Sequence, residues 1–413
     1  KLCVLASCLP MVGTAKLKNR ENPKFRGTER EHMLVNAEEI WYKTKAIEFS
    51  RYQICVDLFL FSEHYTDVAT LSQLPKYTAG RCYHYPRFSS QRDGEKFVTE
   101  LTRVLTQPIA FEAVMRVRAT RGLRITNFYG NYFVRGTDLL ALPNCTPDTC
   151  FGIEFAYEEQ LLTAQIISIQ AALLYTSSSG ERRIRVHNLA IPVSQVIQEV
   201  VNSVAIDVVI NVLAKSALEV AWKTGFDHAR TRIQQACLDM VRANRVGAGA
   251  GAYGSQQQLQ LPEPLQLLPL YAMALQKNVC LRGGPDVGSD ERSFFMMLLS
   301  NMTVESSRCF IYPRMFSLHN MPPEAGLPLD ESSGDEANNI ATAGGATQIV
   351  LPPVVNLSAE RLESNGMFLL EDAVRLYLWV GRATDPNLLQ MLFGVPSIDQ
   401  INTVEAVVQD LGN

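Results

Sequence analysis

The chain reads as a multidomain α and β protein: a partial α/β layer with a parallel sheet, a β-sandwich, an all-α helical domain and a closing α/β domain. Three observations carry this reading. The period of the apolar residues changes along the chain, the charge balance changes with it, and 413 residues exceed one ordinary core. With 47% hydrophobic and 19% charged residues the composition is globular. No stretch approaches the ~20 uninterrupted apolar residues of a membrane span. The chain opens on Lys1 and runs straight into an apolar strand, so it looks like a piece of a longer protein.

Residues 1–106 alternate strand and helix signals. Leu2–Leu9 is apolar, Ala37–Phe49 is helical in pattern, and Gln53–Phe61 is nearly continuously apolar, as a strand buried on both faces should be. A helical turn at Asp67–Leu74, a short strand at Arg81–Tyr85 and an amphipathic helix at Glu95–Leu105 complete half of a helix-covered sheet. Residues 107–193 switch to period two, with runs at Ala113–Ala119, Arg124–Phe128, Tyr132–Val134, Gly152–Tyr157, Ala164–Tyr175 and Arg183–Ile191. Gly-containing turns separate them, which predicts a sandwich.

In residues 194–303 the period becomes 3.6. Val196, Ile197, Val200, Val201, Val204, Val208 and Val212 form one helical stripe behind Ser194 as N-cap, and Ala229, Ile233, Ala236, Cys237, Met240 and Val241 form a second. Gly247–Gln260, rich in Gly, Ala and Gln, reads as a mobile loop. Residues 304–413 return to α/β: strands at Cys309–Tyr312, Gln348–Leu351, Gly366–Leu370 and Val374–Val380, a helix near Asn387–Phe393, and an acidic disordered stretch at Asp330–Gly345.

Residues 1–106 carry 16 basic and 12 acidic side chains, and residues 194–413 carry 14 and 23. Neither part has the clustered basic stripe of a nucleic-acid domain, so no nucleic acid is expected as partner. The nine cysteines form no CxxC pair, which predicts no zinc site here and a reducing, cytoplasmic location. Gly249 to Gly254 matches the letters GxGxxG, but it follows a helix and precedes a Gln-rich run, so the strand and helix that cradle a phosphate are missing. The histidines are scattered, and no catalytic constellation is present.

In Val114-Met115-Arg116-Val117-Arg118-Ala119 alternation puts Arg116 and Arg118 on one strand face, ~7 Å apart, with Met115 and Val117 toward the core. Two adjacent guanidiniums either share internal acidic partners on a solvated face or receive a carboxylate from a partner. Arg183 and Arg185 also share a face, where a charged sheet edge is the better reading. Trp379 alternates with apolar neighbours and reads as core.

Ala110-Phe-Glu-Ala-Val-Met-Arg-Val-Arg-Ala119, Asn127-Phe-Tyr-Gly-Asn-Tyr-Phe-Val-Arg135, Thr137-Asp-Leu-Leu-Ala-Leu-Pro143, Leu267-Leu-Pro-Leu-Tyr271 and Leu376-Tyr-Leu-Trp-Val-Gly381 occur in that order. Together they resemble the cargo-adaptor subunit of the COPII vesicle coat, the Sec24 family, over essentially the whole chain. The resemblance implies a partial von Willebrand A-like trunk at 1–106, a β-sandwich at 107–193, a helical domain at 194–303 and a gelsolin-like domain at 304–413. It implies a non-enzymatic adaptor at the cytosolic face of endoplasmic reticulum exit sites and on COPII vesicles.

The partners implied are the sister COPII subunit as a heterodimer, export signals of cargo and SNARE proteins, the acidic membrane surface, and the outer coat and small GTPase of the assembled coat. No cofactor is implied within this chain; the family's zinc finger is expected upstream. Arg116 and Arg118 match arginines of the family's pocket for acidic and Leu-x-x-Leu-Glu signals, and Leu174 matches its apolar wall. Two alternatives stand beside this reading: the GTPase-activating sister subunit, and a gelsolin-type actin-binding protein.

Overall fold

Val56–Leu60 is a segment, apolar but for Asp57, in which every side chain is buried. It can be so only as the central strand of a sheet covered on both faces. In the computed structural model, which describes residues 1–136, 138–158, 165–247, 261–328, 349–402 and 408–409, this strand, β2, lies between β1 (Leu2–Ala6) and β3 (Cys82–His84), parallel to both. Helices α1 (Ile40–Arg51), α2 (Val68–Leu71), α3 (Gln73–Tyr77) and α4 (Ser90–Thr106) accompany the sheet. One core joins Leu58 and Leu60 to Tyr42, Val68 and Leu71, and a second joins Phe59 to Tyr85 and Val104. The helix expected at Glu95–Leu105 begins earlier, at Ser90, where Asp93 reaches back to accept a hydrogen bond from the Ser89 N–H at 3.0 Å.

The sandwich holds a five-stranded sheet in the order β10-β9-β4-β7-β6 and a two-stranded sheet of β5 and β8. The strands are β4 (Ala110–Ala119), β5 (Leu123–Tyr129), β6 (Phe133–Arg135), β7 (Leu139–Cys145), β8 (Gly152–Tyr157), β9 (Ile166–Thr176) and β10 (Arg182–Pro192). Ala113, Leu140, Leu142 and Tyr175 of the larger sheet form the core, against which Phe128 and Phe151 pack. The strand β7 is absent from the sequence reading because Pro143 sits within it. Its partner position across the sheet is Glu112, whose φ of 50° places it in the left-handed region, and the β4–β9 register shifts at the same point. The proline thus lies beside a local irregularity, the setting in which a ladder tolerates a missing N–H.

The helical part comprises α5 (Ile197–Asn202), α6 (Ile206–Thr224), α7 (Phe226–Gly247), α8 (Leu268–Lys277) and α9 (Ser289–Asn301). The valine stripe expected as one helix is broken between α5 and α6, where the Ser203 hydroxyl donates to the Val200 carbonyl at 2.8 Å. Ser194 is not the N-cap, which is Val196; its hydroxyl pairs with Glu199 instead. Val201 is buried, whereas Val196, Val200 and Val208 are exposed. The second stripe performs as expected, with Ala229 and Ile233 wholly buried.

Residues Lys1–Ser307 form one unit and Arg308–Asn413 another. Helix α10 (Val304–Ile311) carries the chain from the first into the second. The expected strand at Cys309–Tyr312 is therefore wrong: Cys309, Phe310 and Ile311 are buried at the end of a helix, and a short apolar run does not distinguish the two states. In the second unit β11 (Arg314–Ser317), β12 (Val354–Val355), β13 (Met367–Glu371) and β14 (Leu376–Val380) form an antiparallel sheet in the order β12-β11-β13-β14, followed by α11 (Pro386–Phe393). Near the expected strand at Gln348–Leu351 there is an isolated bridge between Ile349 and Pro328. Trp379 packs on Phe368 with ring centroids 5.7 Å apart. Nearly all of Gly247–Gln260, the GxGxxG letters and Asp330–Gly345 lie outside the described residues.

Asp290, at the start of α9, ties the helical part to the α/β layer. Its carboxylate accepts hydrogen bonds from the N–H groups of Thr66 at 2.6 Å and Val68 at 2.8 Å. Burial pushes its carboxyl up to about 6; the two N–H donors pull it down, and the carboxylates of Asp67 and Glu21 add to the rise. A carboxyl raised in the folded state stabilises most below its unfolded value of ~4 and loses that contribution as pH rises through about 6. The urea midpoint should therefore contain a component that falls between about pH 4 and pH 7 in the parent protein and is missing in Asp290→Asn. Identical pH slopes in the two proteins would refute the assignment.

Candidate functional site

The register of the larger sandwich sheet decides which side chains meet. Opposite residues of an antiparallel pair project to the same face. In β4 and β9, Val114 faces Leu174, Arg116 faces Ala172 and Arg118 faces Gln170. The three residues singled out in the sequence, Arg116, Arg118 and Leu174, thus share one face, opposite to the core side occupied by Ala113, Met115 and Val117. Both arginines are exposed and Leu174 is half-buried. The diagonal from Arg116 to Leu174 is ~7–8 Å, within the span of one extended peptide residue pair.

The two arginines differ in their surroundings. Arg116 Nε donates to Asp138 Oδ2 at 2.7 Å, an ion pair whose members are both open to solvent. Such a pair contributes little to stability, ~0–1 kcal/mol, and can exchange for another carboxylate at small cost. Among the described residues Arg118 has no carboxylate partner. Both readings of the arginine pair therefore have a footing: an internal acid holds one guanidinium, and the second is available to an incoming anion.

The edge strand β10 extends the apolar side of this face. Ile184 lies opposite Leu174 and Val186 opposite Ala172, and the two are 68% and 50% exposed. The sequence reading missed them because the run Arg182–His187 draws attention to its arginines. Their alternation with Arg183 and Arg185 is the signal that places them on the opposite face. On that other face Arg185 Nε donates to the Tyr175 hydroxyl at 3.1 Å and holds it below its ordinary value, while Arg183 pairs with Glu181. This agrees with a structural role for Arg183 and Arg185 at the sheet edge.

Among the described residues no three His, Cys, Asp or Glu side chains converge as a metal site. Among them, too, no helix is long and apolar enough to cross a membrane.

Family models match the chain in four successive segments. They are the Sec23/Sec24 trunk domain at residues 1–105, the Sec23/Sec24 beta-sandwich domain at 110–194, the Sec23/Sec24 helical domain at 206–309 and a gelsolin repeat at 348–412. Protein transport protein SEC24 of Podospora anserina is 39% identical over 415 residues, a match that takes in 100% of this chain and 42% of that protein. The Aspergillus oryzae protein of the same name is also 39% identical, with 44% of its length matched. The crystal structure of the human COPII-coat protein Sec24c superposes with a TM-score of 0.88 at 32% identity, covering 100% of this chain and 52% of that one. The chain thus spans less than half the length of these two curated relatives. With four domain models in order and this identity sustained along its whole length, the chain belongs to the Sec24 family of protein transport proteins.

Proposed function

We propose that this chain is the cargo-selecting part of a COPII coat adaptor, a non-enzymatic protein at the cytosolic face of the endoplasmic reticulum. Its role is to bind short acidic export signals of cargo and SNARE proteins. The observation that carries this reading is the shared face of Arg116, Arg118 and Leu174, set by the β4–β9 register. A signal of the type Leu-x-x-Leu-Glu would place its carboxylate on Arg118 and its leucines against Leu174, Val114 and the exposed Ile184. Binding of this kind is weak for one peptide and is multiplied when many copies share a membrane. The excess of basic side chains in residues 1–106 suits a peripheral approach to an acidic membrane. The remaining partners in this proposal are the sister coat subunit, paired as a heterodimer, and the outer coat and small GTPase.

Binding of a fluorescent Leu-x-x-Leu-Glu peptide tests it. Arg118→Ala should weaken binding by ~2 kcal/mol, about 30-fold, and Arg116→Ala by less, because Asp138 already occupies that guanidinium. Asp138→Asn should tighten binding several-fold by freeing Arg116. Unchanged affinity in a folded Arg116→Ala, Arg118→Ala double variant would reduce the pair to a solvated strand face.

A further inference from the structure

Lys215 lies in the middle of α6 with 1% of its surface exposed. Its stem crosses Gly152 at the start of β8, where a Cβ would stand 3.4 Å from Lys215 Cδ. Beyond that point Nζ meets the Cys150 thiol, with an N–S distance of 3.5 Å. No carboxylate pairs with this amine among the described residues, which is unusual for a buried lysine. Burial holds the amine below its ordinary value, partly offset by the Cys150 thiol beside it. Cys150 itself is of intermediate exposure, unlike the buried thiols Cys55, Cys280 and Cys309.

We propose that Cys150 and Lys215 are an oxidant-driven, thiol-reversible covalent modification site, joining as a sulfur–nitrogen sulfenamide that locks the segment leading into β8 of the sandwich to α6 of the helical part. The oxidant is hydrogen peroxide. In the first step the Cys150 sulfur attacks one peroxide oxygen, the O–O bond breaks, and the hydroxide that leaves takes a proton to become water. The product is a sulfenic acid, and sulfur has lost two electrons to the peroxide. In the second step the neutral Lys215 amine attacks that sulfur, the S–O bond breaks, and the oxygen leaves as a second water with one proton from the amine. The net change is one thiol, one amine and one peroxide giving one S–N bond and two waters. A small thiol reverses it: its sulfur displaces the Lys215 amine from Cys150, and a second thiol then reduces the mixed disulfide.

The test is peroxide treatment of the folded chain, then denaturation, alkylation, digestion and mass spectrometry. The expected product is a cross-linked peptide pair holding Cys150 and Lys215, lighter by two hydrogens than the separate peptides, and lost on treatment with dithiothreitol. The exposed Cys8 serves as the internal control and should oxidise without a cross-link. Protein oxidised in urea should lack the cross-link, since the geometry is gone. Lys215→Arg should remove it and let Cys150 proceed to sulfinic acid. In the folded parent, Cys150 found as sulfinic acid beside an unmodified Lys215, or a bridge that retains an oxygen, overturns the proposal.

Discussion

Replacing Arg292 by Met is expected to lower the stability of the unit Lys1–Ser307 by about 3–5 kcal/mol, as when one member of a buried ion pair is removed. Arg292 is wholly buried, and its Nε lies 2.9 Å from Oε1 of Glu31, which is nearly as buried. Nη1 donates to the carbonyls of Val279 and Arg282, each at 3.0 Å, and the guanidinium stands 5.0 Å from the centre of the Phe226 ring. One cation thus holds together the segment Glu29–Met33, the turn before α9, and the start of α7. Met fills much of the space but leaves the Glu31 carboxylate uncompensated in the interior.

That argument predicts more than a loss. Glu31→Gln keeps the acceptor for the Gly27 N–H, 2.8 Å from Oε2 in the parent protein, while removing the stranded charge. Added to Arg292→Met, it should restore more than half of the stability lost. The single variant should also gain stability as pH falls, because the unpaired carboxylate takes up a proton in the folded state. Urea unfolding of the three proteins at two pH values measures all of this. A single variant within 1 kcal/mol of the parent would show that the pair's desolvation cost cancels its attraction, as buried pairs can.

The legibility of the sequence varied with what each element needs from its neighbours. The central strand Val56–Leu60 announced itself because burial on both faces favours a nearly continuous apolar run, here broken only by Asp57, and that requirement is local. The alternation that pairs Arg116 with Arg118 is equally local. Strand β7 was hidden because Pro143 is tolerated only by virtue of the irregular backbone opposite it at Glu112, a relation across the sheet rather than along the chain. The same holds for the site. Leu174 joins the arginines by register, and register depends on a bulge that no periodicity reveals; family resemblance supplied it instead. Asp138, which decides how the two arginines differ, carries no signal of its own in the sequence. Nor does the Cys150–Lys215 contact, because a lysine within a helical stripe looks like a solvent-facing residue until α6 is seen covered on that side.

Gly80→Ala should be as damaging as the loss of Arg292, through geometry alone. A Cβ at Gly80 would stand 1.9 Å from the Val56 carbonyl oxygen and 2.7 Å from its carbon, so the clash is with backbone and no side-chain rotation relieves it. Neither partner can withdraw. Val56 begins the central strand, and the residue after Gly80 is fixed by the Arg81 N–H donating to Asp57 Oδ1 at 2.8 Å and the Arg81 carbonyl accepting from the Leu58 N–H at 2.8 Å. The Gly80 carbonyl also accepts from Asn131 Nδ2 at 2.9 Å, which joins the parallel sheet to the sandwich. Forced overpacking commonly costs about 1–3 kcal/mol, and a contact this short against fixed backbone should exceed that range, to ~3 kcal/mol or more. Gly94, inside α4 with open space around its Cβ position, is the matched control: Gly94→Ala should raise stability by about 0.4–1 kcal/mol. If the two alanines shift the unfolding midpoint alike, the β2–β3 approach is looser than its hydrogen bonds imply, and Asn131 has lost its fixed anchor on the sheet.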